Sequence, residues 1–156
     1  MKTQCKKLIV CLAIPLAVGG LSAFLTRGSM RAFQALNKPP LSPPGWLFPV
    51  VWTILFILMG IASYLVLTSG AAEASIRKAL TVYGVQLAFN FFWSIIFFNL
   101  KQYLFAFIWL VLLELLIIKT TSLFYKATRP AGQLMLPYLL WVAFAGYLNF
   151  AIYLLN

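Results

Sequence analysis

The organisation of this chain is decided by the stretch Lys38-Pro39-Pro40-Leu41-Ser42-Pro43-Pro44-Gly45-Trp46-Leu47-Phe48-Pro49-Val50-Val51-Trp52. It holds five of the eight prolines and two of the five tryptophans, and it runs directly into the apolar residues 53–60. Proline lacks a backbone donor and biases the preceding residue towards an extended conformation, so residues 39–44 are expected to form a stiff, non-helical lead-in. Pro44 is expected to begin the following helix, where its missing N–H costs nothing. A rigid loop that brings two indoles to the end of a membrane helix suggests a lid over a ligand site.

The composition indicates a membrane protein. Of 156 residues, 63% are hydrophobic and only two are acidic, which is too apolar for a soluble domain of this size. The formal net charge is +10, but the basic residues are scattered singly and in pairs between apolar runs. This pattern favours loop charges beside anionic lipid headgroups over nucleic-acid binding, so the bilayer, and no nucleic acid, is the expected partner.

The residue types exclude several kinds of active site. The chain has no histidine and no aspartate, and Cys5 and Cys11 lack the spacing of metal ligands. A zinc site, a Ser-His-Asp triad and a paired-carboxylate site are therefore excluded, and no metal or required cofactor is expected. Any function must rest on aromatic side chains, amides and backbone.

Five apolar runs each reach the length of about 20 residues that crosses a bilayer. The first follows basic residues as a signal peptide would, but its length favours an uncleaved helix. Short connections predict an all-α bundle of five transmembrane helices in which helices consecutive in sequence are antiparallel neighbours. The whole chain, 1–156, is predicted to be one membrane domain, with one or two helical turns within residues 30–36 of the loop 27–43. The predicted helices cover residues 8–26, 44–67, 79–100, 103–124 and 134–154.

The distribution of basic residues predicts the orientation. More of them lie in the N-terminal tail and in the second and fourth loops than on the opposite side, which places the N-terminus in the cytoplasm. The first group comprises Lys2, Lys6, Lys7, Arg77, Lys78, Lys126 and Arg129, and the second comprises Arg27, Arg31, Lys38 and Lys101.

Three helical stripes combine aromatic rings with amides. Amides are unfavourable against lipid, so the stripes should face the bundle interior and carry Trp52, Trp93 and Trp141 inward. We favour a flat-walled pocket for a planar aromatic or polycyclic ligand over plain core packing. Trp46 and Trp109 are instead assigned to lipid-facing packing or an interfacial belt. The stripes are Phe48, Trp52 and Phe56; Gln86, Asn90, Trp93 and Phe97; and Trp141, Ala145 and Asn149, with Pro137 and Tyr138 one turn earlier.

Two further features lie within the spans. Glu114 is the one acid inside a predicted span, which makes it a functional candidate, although it could equally be held protonated or bonded to a neighbouring helix. Gly84 and Ala88 form a small-xxx-small pair, which permits close helix contact and predicts a homodimer interface.

Several motifs in the chain resemble those of one membrane-protein family, the TspO/MBR family of tryptophan-rich sensory proteins, which includes the mitochondrial translocator protein. The resemblance covers essentially the whole chain. The motifs read Lys38-Pro39-Pro40-x-Ser42-Pro43-Pro44-Gly45, Pro49-Val50-Val51-Trp52, Asn90-x-x-Trp93-Ser94, and Pro137-Tyr138-Leu139-Leu140-Trp141-x-Ala143-Phe144-Ala145-x-x-Leu148-Asn149.

The resemblance implies a homodimer that binds porphyrins, such as protoporphyrin IX or haem, and in some members benzodiazepine-type ligands. A sensing, transport or homeostasis role would follow. The implied ligand-binding residues are Phe33, Pro43, Pro44, Phe48, Trp52, Phe56, Asn90, Trp93, Ser94, Trp141 and Ala145.

Two alternatives remain. In the first, the protein is an enzyme that degrades protoporphyrin in light with Trp52 and Trp141, since the lack of histidine and aspartate does not exclude radical photochemistry. In the second, it is a helical scaffold whose aromatics only pack. The family's cholesterol motif needs a basic residue after a tyrosine, and Tyr153 is followed by Leu-Leu-Asn. This departure argues against cholesterol and for a bacterial-type member in an inner membrane.

Overall fold

The computed structural model describes residues 2–156, and their secondary structure is helical without strands. Five helices are long and apolar enough to cross a membrane, which confirms the predicted all-α fold. A 3-10 turn, Arg27–Ser29, follows the first helix, and a π-helical segment, Ile95–Asn99, extends the fourth. In chain order the helices are α1 (Lys2–Thr26), the short α2 (Met30–Gln34), α3 (Leu47–Leu67), α4 (Glu73–Ser94), α5 (Tyr103–Ala127) and α6 (Arg129–Leu155).

The helix boundaries differ from the predicted ones at the polar ends. α1, α4 and α6 begin about six residues earlier than predicted, because a helix can continue through the interfacial region where charged side chains are solvated. Glu73 and Arg77, predicted to lie in a loop, occupy the first turns of α4 and form an i,i+4 ion pair of 3.2 Å. Pro44 does not begin α3: its carbonyl accepts a hydrogen bond of 3.0 Å from the Leu47 N–H in the turn before the helix.

The five long helices form a ring in which α1 packs on α3, α3 on α6, α6 on α5 and α5 on α4, and α4 returns to α1. The prediction that consecutive helices are neighbours is therefore wrong for α3 and α4, which touch over a small area only. The connection between them, residues 68–72, spans up to about 17 Å when extended. That length is enough to pass beneath one helix of about 10 Å diameter.

The chain direction alternates, so the bundle has two distinct ends. The N-terminal end carries the start of α1, the 68–72 connection and Thr128, and the loop end carries the 27–46 segment, residues 100–102 and Asn156. The structure thus separates the two groups of basic residues as predicted, while their orientation in the membrane stays a prediction.

The interior of the bundle mixes apolar and amide side chains, while much of its outer surface is apolar. Gln86, Asn90 and Asn149 are buried, as predicted for amides in membrane helices. Large apolar side chains such as Phe105 and Leu140 point outward, where lipid would cover them.

A glycine sets the distance between α1 and α3. A Cβ on Gly60 would lie 2.8 Å from the main-chain oxygen of Cys11 and 2.9 Å from the Cα of Leu12. Since both atoms belong to the backbone of α1, neither can move without shifting that helix.

We therefore expect Gly60→Ala to separate α1 from α3 and to lower the thermal unfolding midpoint in detergent, because overpacking costs about 1–3 kcal/mol. Gly146→Ala is the matched control, since its Cβ would meet Leu110 at an ordinary 3.9 Å. Equal midpoints for the two variants would contradict this account of the α1–α3 contact.

Candidate functional site

Four aromatic rings from α3 and α6 form the centre of the candidate site. Trp52 stacks on Phe56, one turn further along α3, with 5.6 Å between ring centroids. It meets Trp141 edge to face at 6.5 Å and 88°, and Tyr138 at 6.3 Å. The i, i+4 spacing on α3 and the i, i+3 spacing on α6 aim these rings at each other across the interface. We call Trp52, Phe56, Tyr138 and Trp141 the aromatic cluster.

The 27–46 segment reaches the aromatic cluster through its Phe33, which contacts Phe48 of α3. Phe48 contacts Trp141 with centroids 5.9 Å apart, and Phe33 of α2 contacts Phe48 at 6.4 Å. Phe33 also touches Phe97 and Phe98 at 5.9 and 5.1 Å. Phe97 and Phe98 belong to the π-helical segment, whose wider turn changes the direction of successive side chains.

Trp93 lies apart from the other two inward tryptophans. Its ring stacks on Phe97 at 5.3 Å, and its Nε1–H donates to Asn149 Oδ1 at 3.0 Å. The Nδ2 of Asn149 in turn donates to the Tyr103 carbonyl at 2.8 Å. Trp93 therefore ties α4 to α6 and α5, and it connects with the aromatic cluster only through the phenylalanines at the loop end.

A buried chain of polar groups lies beside the aromatic cluster. The Tyr138 hydroxyl donates to Gln86 Oε1 at 2.6 Å and accepts from Asn90 Nδ2 at 2.8 Å. All three side chains are buried. Asn90 was predicted as a ligand contact, but its amide nitrogen is used within the protein. Tyr138 lies one turn before the third stripe in the sequence analysis but is not among the predicted ligand contacts; its position three residues before Trp141 is the signal that could have assigned it to the site.

One fully buried polar atom of the aromatic cluster has no partner. Among the described residues, none accepts a hydrogen bond from the buried Nε1–H of Trp141. A buried donor without an acceptor costs about 1–3 kcal/mol, so an acceptor on a ligand would gain a large part of that energy.

The remaining predicted contacts differ in position. Ala145 is buried one turn after Trp141, and Ser94 is half-buried at the end of α4. Pro43 is half-buried, whereas Pro44 is exposed and lies at the surface of the segment. Gly19 of α1 packs directly against the ring of Phe56, so α1 backs the aromatic cluster without contributing a ring.

Hydrogen bonds fasten the 27–46 segment across the loop end. The Asn37 N–H donates to Asn156 Oδ1 at 3.1 Å, and Asn156 Nδ2 donates to the Asn37 carbonyl at 2.9 Å. The Tyr147 hydroxyl donates to the Pro40 carbonyl at 2.8 Å. Ser29 donates to Asn99 at 2.6 Å. The segment is thus an ordered cover that α6 and α4 hold in place.

The other two tryptophans have different surroundings. Trp46 is 68% exposed, as expected for an interfacial anchor. Trp109 is half-buried, stacks on Phe89 at 4.3 Å and donates its Nε1–H to the Phe89 carbonyl at 2.8 Å. Trp109 therefore joins α5 to α4, and its assignment to lipid-facing packing or an interfacial belt stays a prediction.

An apolar groove of about 420 Å³ runs along the outer side of the α3–α6 interface. Trp141, a member of the aromatic cluster, also forms part of the wall of this groove. The groove residues are Val51, Ile54, Leu55, Leu58, Pro137, Leu140, Trp141 and Phe144.

Two predictions outside the cluster stay open. Both carboxylate oxygens of Glu114 are buried without a hydrogen-bond partner among the described residues, so its role stays a hypothesis. Gly84 and Ala88 are exposed on the outer face of α4, and a Cβ on Gly84 would meet nothing within 4 Å. That face is free for a second copy of the chain, but the homodimer stays a prediction.

We expect Tyr138→Phe to lower the free energy of unfolding by about 1–3 kcal/mol for each amide group that it leaves unpaired. Tyr153→Phe is the control, because Tyr153 lies on the same helix with its side chain 38% exposed. Unfolding of both variants is followed by denaturant titration in one detergent. Equal free energies of unfolding for the two variants would show that the chain of polar groups does not stabilise the fold.

Comparison with known proteins gives the family. The model of the TspO/MBR family matches residues 11–155. The chain is 40% identical over 157 residues to the tryptophan-rich protein TspO of Chlorobaculum tepidum, across 100% of this chain and 99% of that protein. It is 40% identical over 151 residues to the tryptophan-rich protein TspO of Archaeoglobus fulgidus, across 96% and 97%. It is 35% identical over 139 residues to the translocator protein of Bos taurus, across 88% and 82%. The chain therefore belongs to the TspO/MBR family of multi-pass integral membrane proteins, as its motifs predicted.

Proposed function

We propose that the protein binds a porphyrin or a related tetrapyrrole at the aromatic cluster and serves in its sensing, transport or homeostasis. The observation that carries this proposal is the pair Trp52 and Trp141, which lie edge to face at 6.5 Å with the Trp141 N–H buried and unpaired. A flat ligand with nitrogen or carbonyl acceptors would complement both the rings and the free donor.

The surroundings support a large planar ligand rather than a small polar one. Phe48 and Phe56 extend the ring surface along α3, and the apolar groove of about 420 Å³ lies on the other side of Trp141. Benzodiazepine-type ligands, which carry aromatic rings and hydrogen-bond acceptors, would suit the same features.

The proposed contacts divide into two groups by their hydrogen bonding. The side-chain N–H groups of Asn90 and Trp93 donate to Tyr138 and Asn149, so in this proposal these two residues hold the wall of the site. Trp52, Phe56, Phe48 and Trp141 touch the ligand, and the cover residues Phe33 and Pro43 close the loop end.

The names of the relatives are compatible with a sensing or transport role: one, from Cereibacter sphaeroides, is a tryptophan-rich sensory protein and another, from Homo sapiens, is a translocator protein.

The proposal extends to a homodimer through the exposed face of α4 around Gly84 and Ala88, and to an inner membrane with the N-terminus in the cytoplasm. The seven basic residues at the N-terminal end support that orientation.

The proposal is tested by titrating the purified protein with protoporphyrin IX in the dark and following the quenching of tryptophan fluorescence. Saturable quenching is expected, and Trp52→Phe and Trp141→Phe should each weaken binding by up to about tenfold, because phenyl offers a smaller ring surface than indole and has no N–H donor. Trp46→Phe is the matched control, since Trp46 lies outside the cluster. Quenching that never saturates, or equal affinities for all three variants and wild type, would refute the assignment.

A second candidate function is the light-dependent breakdown of protoporphyrin. It is favoured by the row of oxidisable rings, since Trp52 lies 6.5 Å from Trp141 and 6.3 Å from Tyr138. Photoexcited porphyrin would take one electron from an indole, and the indole radical cation would release its N–H proton. Dioxygen would add to the reduced porphyrin, and the oxygenated porphyrin would return one electron to the indolyl radical, which regains a proton, so that dioxygen is the net oxidant and the indole is restored. Illumination of the same complexes separates the two functions: porphyrin loss no faster than in detergent alone would leave binding as the function.

A further inference from the structure

We infer that the site selects tetrapyrroles that carry a free carboxylate, and that Lys38 is the cation that pairs with this group; the inference rests on the proposed function. Lys38 lies at the junction of the cover and the aromatic rings. It is half-buried, and its Nζ lies 5.0 Å from the centroid of the Phe33 ring.

Ring contacts connect Lys38 with the aromatic cluster. Phe33 contacts Phe48 at 6.4 Å, and Phe48 contacts Trp141 at 5.9 Å. A ligand that extends from Trp141 along Phe48 towards the loop end therefore approaches the ammonium group of Lys38. The same ligand would keep its apolar face on the rings.

The backbone of Lys38 is restrained on both sides, and one hydrogen bond holds its ammonium group. Lys38 lies between Asn37, which is hydrogen-bonded to Asn156, and Pro39, whose ring restricts the conformation of the residue before it. The Nζ of Lys38 also donates to the Gln34 carbonyl at 3.1 Å. An ammonium has three donors, so two remain for a ligand.

No acidic side chain of the protein pairs with Lys38. The chain has two acidic residues: Glu73 pairs with Arg77 at 3.2 Å at the N-terminal end, and Glu114 lies midway along α5. The loop end instead carries three further basic residues, Arg27, Arg31 and Lys101. A half-buried cation interacts with an anion more strongly than a solvated one does, because less water screens the pair.

Together these features describe an amphiphilic ligand with two distinct parts. Its flat apolar surface lies against the rings of Trp52, Trp141 and Phe48 within the membrane. Its carboxylate lies at the loop end, where water reaches the interface and Lys38 supplies the opposite charge. A neutral ester of the same macrocycle would keep the first set of contacts and lose the second.

The test compares protoporphyrin IX with its dimethyl ester in dark titrations of wild type, Lys38→Gln, Lys38→Arg and Lys126→Gln. Lys126→Gln is the matched control, because it removes the same charge from an exposed residue at the N-terminal end. Wild type should bind the diacid about tenfold more tightly than the ester, as a charge-assisted hydrogen bond is worth about 1.5–3 kcal/mol. Lys38→Gln should lose that preference, while Lys38→Arg and Lys126→Gln keep it.

The possible failures are distinguishable. If wild type binds the acid and the ester equally, or if Lys38→Gln weakens both alike, the inference about the carboxylate is overturned while saturable binding of the ester upholds the proposed function. If neither compound binds saturably, the proposed function falls and the inference falls with it. A loss of preference in Lys126→Gln would assign the effect to net charge and would also overturn the role of Lys38.

Discussion

The hydroxyl of Tyr138 and the two amides that it joins are the interaction on which the rest of the structure depends. Gln86 and Asn90 are buried between membrane helices, where an unpaired amide costs several kcal/mol because neither water nor lipid can satisfy it. The orientation of α4 relative to α6 lets the Tyr138 hydroxyl donate to Gln86 at 2.6 Å and accept from Asn90 at 2.8 Å. That orientation also places the ring of Tyr138 against Trp52 and sets the face of α6 on which Trp141 lies.

The helices around this contact determine how close the rings come. Gly60 allows α1 to pack against α3, and Gly19 leaves room for the Phe56 ring that stacks on Trp52. At the loop end, the bonds between Asn37 and Asn156 hold the cover over Phe33 and Phe48. Packing around the site therefore orders the rings, and the Trp141 N–H is the one fully buried polar group of the aromatic cluster without a partner among the described residues.

Part of this arrangement could be predicted from the sequence. The five spans follow from the length of the apolar runs, and the inward direction of Gln86, Asn90 and Asn149 follows from the energy of an amide in lipid. The start of α3 could not be predicted, since the choice between Pro44 and Leu47 depends on a turn. Nor could the separation of Trp93 from Trp52, because it depends on the ring order of the helices and on the bond to Asn149. Helical spacing shows which residues share a face, but only tertiary packing shows which faces meet.

The central claim is that Trp52 and Trp141 form the wall of a tetrapyrrole site. Its most direct test is the nuclear magnetic resonance spectrum of the indole N–H groups, in protein labelled with ¹⁵N-tryptophan and mixed with protoporphyrin IX in the dark. The Trp141 and Trp52 signals should shift strongly through the ring current of the bound porphyrin and, for Trp141, through a new hydrogen bond. The Trp109 signal, whose N–H is bonded to the Phe89 carbonyl, should remain unchanged. Shifts confined to Trp109 or Trp46, with Trp141 and Trp52 unaffected, would contradict the account.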